Sequence, residues 1–342
     1  MKDKEIKTVV VVPTIRKQGI RDFLSQWKIG LKKAKIIVIE DNPGKTFDIK
    51  GFSNVTHYAW EDIDKDLGEN AWIIPRRTDC IRSYGFYKAY FTQPDMVVTL
   101  DDDCYPLKGQ ENNFLGRHWE RLEESVSDEA WYETGEGVTS RGVPYFNRSR
   151  IWRCVLNHGL WKGIPDLDAP TQLANSRTHQ EFICKNQIIP IGKYFPMCGM
   201  NLAFRPEIIP ALYFLLMGKD YPYDRFGDIW SGIFLKKICD HLGYAIHSGE
   251  PVVLHQRASN VWSNLRKEEP GLEVNEKLWK IMDRIVLKGR TFGECYMQLA
   301  KELDFHGEYW DKLKSGMQGW TKLFTSFNVT LPLNKSVNAV KR

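Results

Sequence analysis

Apolar residues enter this chain in short blocks separated by polar turns. Thr8 to Val12 is a continuous β-branched run that stops at Pro13-Thr14, the pattern of a buried parallel strand. Gly19 to Trp27 repeats its apolar positions at helical spacing. Ile36 to Ile39 is a second short apolar strand, closed by the turn sequence Glu40-Asp41-Asn42-Pro43-Gly44. Arg76 to Phe91 reads as a helix and Met96 to Leu100 as the next strand. This alternation predicts an α/β protein with a mostly parallel central sheet and helices on both faces.

Farther along, Asn113 to Ser125, Pro206 to Met217 and Trp230 to Leu242 are expected helices, and Pro251 to His255 a short strand. Lys277 to Leu303 is expected to be helical with a break near Gly289. Glu133 to Gln172 is rich in Gly, Pro, Arg and Trp and weakly periodic, so it is expected to form loops over the sheet. The expected organisation is a catalytic domain over 1–270, a helical extension over 271–330 packed on it, and a flexible tail over 331–342.

Composition narrows the function class. Of 342 residues, 42% are apolar, enough for a substantial core, and 12 Trp supply flat faces that suit sugar rings or bases as well as packing. The net charge of +5 is spread along the chain. It suits an anionic small ligand better than a nucleic acid, which calls for a dense basic stripe. Seven scattered Cys without a C-x-x-C pair argue against a zinc site or a disulfide framework and for a reduced compartment. No stretch approaches a membrane span and no secretory signal pattern is seen, so a cytoplasmic location is expected.

The sharpest chemical signal is Asp101-Asp102-Asp103-Cys104 at the end of the Met96–Leu100 run. Three consecutive acids repel one another and desolvate poorly, so a cation or substrate is expected to offset them. At the carboxyl end of a strand they face the crevice where open α/β sheets bind ligands, which suits a divalent metal holding a diphosphate. The plain alternative is an acidic turn. No G-x-G-x-x-G follows any strand, so neither flavin nor NAD is expected.

Other candidates follow the same topology. Pro13, Thr14 and Arg16 at the end of the first strand are placed at the base or phosphate, and Asp41 is either a ribose acceptor or a turn residue. Arg82, Arg141, Arg148 and Arg150 are candidate phosphate-binding guanidinium groups. Asp166 and Asp168 sit in a loop stiffened by Pro165 and Pro170, suited to sugar hydroxyls or proton transfer. Gly199 and Asn201 belong to an apolar stretch that forms either a wall against a sugar or core. Asp228 stands beside Trp230, and Trp161 follows His158-Gly159-Leu160. His255 ends a short strand as either a metal ligand or a structural imidazole.

In these segments the sequence resembles the reversibly glycosylated polypeptide family, which includes the plant UDP-arabinopyranose mutases. The matching residues are Val12–Arg16, Asp101–Cys104, Arg141-Gly142-x-Pro144, His158–Trp161, Ile164–Leu173, Phe195–Phe204, Ile238–Gly243 and His255-x-x-Ala258-Ser259-Asn260. They run in order from about residue 8 to about residue 300 of the sequence. The resemblance implies a GT-A-like nucleotide-sugar fold and a divalent metal, Mn²⁺ or Mg²⁺, held by Asp101, Asp103 and His255, with Asp102 at the diphosphate. It implies a flavin-independent mutase that interconverts pyranose and furanose rings of a nucleotide-diphosphate sugar, UDP-arabinose by default, with a GDP-sugar open. The same fold also serves a glycosyltransferase acting on itself or on an acceptor.

Arg141 matches the family arginine that is reversibly glycosylated. A protonated guanidinium is a poor nucleophile, so a diphosphate clamp is the expected role. The catalytic set implied is Arg141, Asp166, Asp168 and Asp228; the sugar contacts implied are Trp161, Gly199, Asn201 and Trp230. Self-association is a family-level expectation. Two departures bear on this. An insertion between Arg141 and His158 leaves Arg148 and Arg150 as alternatives for the family's second arginine. At Gly227-Asp228 the family's acidic pair is reduced to Asp228.

Overall fold

The computed structural model describes residues 5–325 apart from 50, 130, 132–135, 137, 139, 146–148, 165, 175–184 and 257–259. The expected tail over 331–342, Arg148 and Pro165 therefore lie outside the described residues. The strands are β1 (Thr8–Thr14), β2 (Lys35–Glu40), β3 (Val55–Tyr58), β4 (Met96–Leu100), β5 (Cys104–Pro106), β6 (Ser125–Glu129), β7 (Ser149–Gly163), β8 (Gln187–Ile188), β9 (Asn201–Phe204) and β10 (Tyr244–His255). The helices are α1 (Lys17–Gln26), α2 (Trp60–Leu67), α3 (Arg82–Tyr90), α4 (Phe114–Glu123), α5 (Ala169–Ala174), α6 (Gly227–Leu242), α7 (Val261–Arg284), α8 (Phe292–Glu302) and α9 (Glu308–Thr325).

All strands join one mixed sheet in the order β3-β2-β1-β4-β9-β7-β10-β5, with β6 on β7 and β8 on β10. The β-branched run of β1 is buried on both faces and pairs parallel with β2 and β4, as an α/β half requires. Beyond β4 the sheet changes character: β9 runs antiparallel to both β4 and β7, while β10 runs parallel to β7. Alternate β1 side chains feed two cores. Val10 and Val12 pack with Phe23 of α1, Trp27 just after it and Phe114 of α4. Val9 and Val11 pack with Phe86 of α3, and that core continues through α6, α8 and α9. Gly85 lets α3 lie directly on β1, since a Cβ there would collide with the Val11 side chain.

Several elements differ from the expectation for definable reasons. The helix expected from Arg76 begins at Arg82, because the Asp41 carboxylate takes the Thr78 amide at 2.9 Å and Arg77 adopts φ +59. Segment 133–172 contains β7, whose polar Asn157 and His158 are buried in the sheet rather than in loops. Residues 206–211 form 3-10 turns, and 212–217 then run as non-helical, fully buried chain. The Pro251–His255 strand is the end of the longer β10, which starts at Tyr244. The boundary expected at 270 falls inside α7, and α4 ends at Glu123, before the start of β6.

Candidate active site

The acidic triplet forms the turn between β4 and β5, closed by the Cys104 amide on the Asp101 carbonyl at 3.1 Å. The indole of Trp27, the residue that follows α1, donates to the Cys104 carbonyl at 2.9 Å. Because β5 pairs antiparallel with β10 and Cys104 lies opposite His255, the fold itself brings Asp103 beside His255. Each acid then faces a different partner.

Asp101 Oδ1 accepts from Arg82 Nη2 at 2.5 Å. Asp102 is turned inward, accepting from Thr14 Oγ1 at 2.5 Å and pairing with Arg16. Asp103 Oδ2 is 3.1 Å from Arg16 Nη2, and its Oδ1 is 3.9 Å from His255 Nε2. His255 Nδ1 donates to the Ile164 carbonyl at 2.8 Å, which orients Nε2 toward Asp103. An oxygen and an imidazole nitrogen so arranged fit Mn²⁺, and a carbonyl fixing the tautomer is the usual outer-shell device. Among the described residues no three such ligands already stand together at metal-binding separation.

Arg82 is 1% exposed and bridges four acceptors: Asp101, Thr99 Oγ1 at 3.1 Å, the Gly199 carbonyl at 2.6 Å and the Asp79 carbonyl at 3.2 Å. The Gly199 amide in turn donates to Asp228 Oδ2 at 2.8 Å. A side chain at 199 would press on Phe214 and approach Asp228, so this bridge needs glycine. Asp228, at the start of α6, is raised to about 7, first by burial and then by the charges of Asp79 and Asp166; the Gly199 amide and Arg82 oppose the shift. Asp166 is also raised by burial, and it accepts from the Cys198 thiol at 2.7 Å. Asp79 is exposed yet raised by the protein packed around its carboxyl group, with Arg82 opposing. These carboxyl groups feel one another's charge, and Asp166 also feels Asp101 and His255.

Several expected site residues take other roles. Asn201 is fully buried with every polar atom used. Its amide donates to the Leu160 and Pro251 carbonyls at 3.1 and 2.9 Å, and its oxygen meets His118 Nε2 at 3.0 Å, so it has nothing left for a sugar. Trp230 is fully buried among Tyr223, Phe226 and Trp310, so it is core rather than a sugar platform. Trp161 is half-buried and packs edge-on to His158.

Asp168 accepts from the Thr171 amide at 2.8 Å and hydroxyl at 2.7 Å, which caps α5 instead of leaving a base free. Asp41 spends its oxygens on the Trp60 indole at 2.7 Å and the Thr78 amide, ordering the approach to α3. Asp102 and Arg82 position their neighbours and are too buried to be the diphosphate's direct contacts. Pro13 lies within β1, and Arg16 is the part-exposed cation at that strand's end. Arg141 is exposed in a turn, and among the described residues no ion pair ties it to the cleft acids; Arg150 is likewise exposed on β7.

Three residues the sequence did not single out complete the cleft: Asp79, Arg225 and Glu268. Glu268 Oε1 accepts from Arg225 Nε at 2.7 Å while Oε2 accepts the Ala169 amide at 2.7 Å. Their only sequence trace is the run Asn264, Glu268 and Gly271 along the inward stripe of α7, at helical spacing. A separate groove of about 540 Å³ lies at the opposite ends of β1 and β2. Its Lys88 is already paired with Asp66 at 2.8 Å.

Comparison with known proteins gives a consistent answer. A family model described as "Reversibly glycosylated polypeptide" matches residues 1–329. UDP-arabinopyranose mutase 1 of Arabidopsis thaliana is 35% identical over 337 residues, covering 93% of this chain and 92% of that protein. Probable UDP-arabinopyranose mutase 1 of Pisum sativum is 35% identical, covering 93% and 90%, and UDP-arabinopyranose mutase 1 of Oryza sativa subsp. japonica 33%, covering 93% and 90%. A solved structure titled "Crystal structure of S. aureus TarS 1-349" overlays with TM-score 0.39 at 12% identity, covering 98% of this chain and 76% of that one, a likeness too loose to argue from. Among the described residues no helix is long and apolar enough to cross a membrane.

Proposed function

The chain belongs to the reversibly glycosylated polypeptide family, and we propose that it interconverts the pyranose and furanose forms of a UDP-linked sugar, arabinose by default. The observation that carries this reading is the meeting, in one cleft, of the Asp103–His255 pair with the carboxyl groups of Asp166 and Asp228. The first pair suits a metal-bound diphosphate, and the second suits proton transfer on a sugar near neutral pH.

Asp101, Asp103 and His255 would hold a divalent cation, Mn²⁺ in preference to Mg²⁺ because of the imidazole. Such an ion supplies Lewis-acid stabilisation of the departing diphosphate. Arg16 steadies Asp102 and Asp103, and Arg82 steadies Asp101, so the chain keeps the acids together when the cleft is free of ligand. On the sugar, the bond between C1 and the diphosphate breaks and O4 bonds to C1. The C1 bond to the original ring oxygen then breaks, and the diphosphate returns to C1. The proton that leaves O4 is needed on the former ring oxygen, so one carboxyl group accepts and returns it without net change. Asp228 suits that duty, being raised toward neutrality and fixed by the Gly199 amide. Redox chemistry is not required, and the conversion calls for no flavin.

The test is purified protein with Mn²⁺ and a panel of UDP- and GDP-sugars, read by anion-exchange chromatography and NMR. An isomeric nucleotide-sugar that disappears with EDTA supports the reading and names the base. Free nucleotide, or sugar label on the exposed Arg141, without an isomer would replace it with a self- or acceptor-directed glycosyltransferase.

A further inference from the structure

Arg225 occupies the cleft without a role in the chemistry above. It sits just before α6 at φ +67, a left-handed conformation that strains any side chain other than glycine's. The strain is held by α7 from three sides. Glu268 takes Arg225 Nε, Lys267 pairs with Asp224 at 3.1 Å, and the Phe226 ring seats on Gly271, where a Cβ would not fit. Glu268 is 4% exposed at its side chain, so its charge is committed to Arg225 and the Ala169 amide.

Anchoring through Nε leaves the two terminal nitrogens. The Arg225 side chain is 32% exposed, and among the described residues neither Nη has a hydrogen-bond partner. A guanidinium present only to neutralise Asp166 and Asp79, the charges it feels after Glu268, would spend those nitrogens on them. Instead it presents a planar fork whose two terminal nitrogens match two oxygens of a phosphate. The neighbouring carboxyls are held above their ordinary range by burial, so they oppose an incoming anion less than their number implies.

We propose that Arg225, pre-oriented by the buried Glu268, binds the β-phosphate of the nucleoside diphosphate from the side of the cleft that carries Asp166. This rests on the nucleotide-sugar reading above. It assigns Arg225 a direct ligand contact and makes Glu268 a positioning residue.

The experiment is calorimetric titration of the full chain with Mn²⁺, using UDP and UMP, or GDP and GMP if the guanine pair binds better. Arg225→Gly removes the fork and relieves the strained φ but strands the buried Glu268 carboxylate, so it is measured alone and with Glu268→Gln, which removes that charge. The expected result is a loss of diphosphate affinity of roughly 10- to 100-fold with monophosphate affinity unchanged, as for a charge-assisted hydrogen-bonding pair. Glu268→Gln should show a smaller loss of the same selectivity, a pattern that general destabilisation does not produce. Equal weakening of diphosphate and monophosphate, or no weakening of either, overturns the proposal. A wild-type chain that binds nucleoside diphosphate but makes no isomer sinks the mutase reading while the Arg225 comparison still stands. One that binds none sinks both.

Discussion

His255 turns its Nε2 toward Asp103 Oδ1 across 3.9 Å, with Nδ1 fixed on the Ile164 carbonyl. A cation placed between them would gain two ligands from strands that the sheet already holds in register. His255→Gln should therefore weaken Mn²⁺ binding by about tenfold or more, read by titration calorimetry. Asp102→Asn should leave Mn²⁺ affinity close to wild type, since Asp102 faces Thr14 and Arg16. Equal losses in both variants would show that the triplet binds metal as an undivided cluster.

Asp228 ties activity to a stability penalty. Its carboxyl group is raised in the fold to about 7, against an ordinary value near 3.9 when unfolded. Between these values the folded chain holds a proton the unfolded chain has released, so stability falls as pH rises through that window and stays lower above it. Asp228→Asn removes the charge and keeps an oxygen for the Gly199 amide, at the cost of the Ile229 amide that Asp228 Oδ1 accepts at 2.9 Å. It should raise the melting temperature at pH 8 by roughly 2 °C, about 1 kcal/mol in a chain of this size, with little change at pH 4. Turnover should fall by about 100-fold, within the range for losing a general acid or base. A melting temperature that drops at pH 8 would show that the ionised form is the stabilised one.

Asn201 should behave as a core residue. It links His118 to two strand carbonyls, and His118 Nδ1 accepts from Asn157, whose oxygen meets His247 Nδ1 at 2.7 Å. Burial holds His118 neutral, pushing it down to about 3, so each proton in this chain has one place. Asn201→Ala leaves buried groups unmatched and should cost about 3 kcal/mol by chemical denaturation. UDP affinity of the folded fraction should be unchanged; a selective loss of sugar-nucleotide binding with normal stability would return Asn201 to the site.

Cys198 tunes Asp166. The thiol donates to the carboxylate, lowering a group that burial raises. Cys198→Ala should move the acid limb of the turnover profile to higher pH, and Cys198→Ser, which keeps a donor, should restore it. Identical profiles for the two variants would remove Asp166 from the rate-determining protonation.

The parts of this molecule written locally were legible. The β-branched runs before Thr14 and Asp101 announce buried strands, and three acids after the second announce a charged turn that needs the cations Arg16 and Arg82. What was hidden depends on partners distant in sequence. Asn157 and His158 masked β7 because their polar partners, His118, His247, Glu250 and Ser248, come from other elements. Asp41 erased the first turn of an otherwise plausible helix from across the sheet. Arg225 and Glu268, 43 positions apart, carry no motif, and a left-handed arginine has no sequence signature.

The grip of α7 on the cleft also sets an order of assembly during synthesis. Thr14, Arg82 and the acidic triplet emerge from the ribosome early and can settle against one another. The Asp166 loop and Arg225 gain their common partner only when residue 268 has followed. A nascent chain thus builds the strands that carry Thr14 and the acidic triplet first and completes the wall of Asp166 and Arg225 last, and release at residue 260 would leave that wall without its brace.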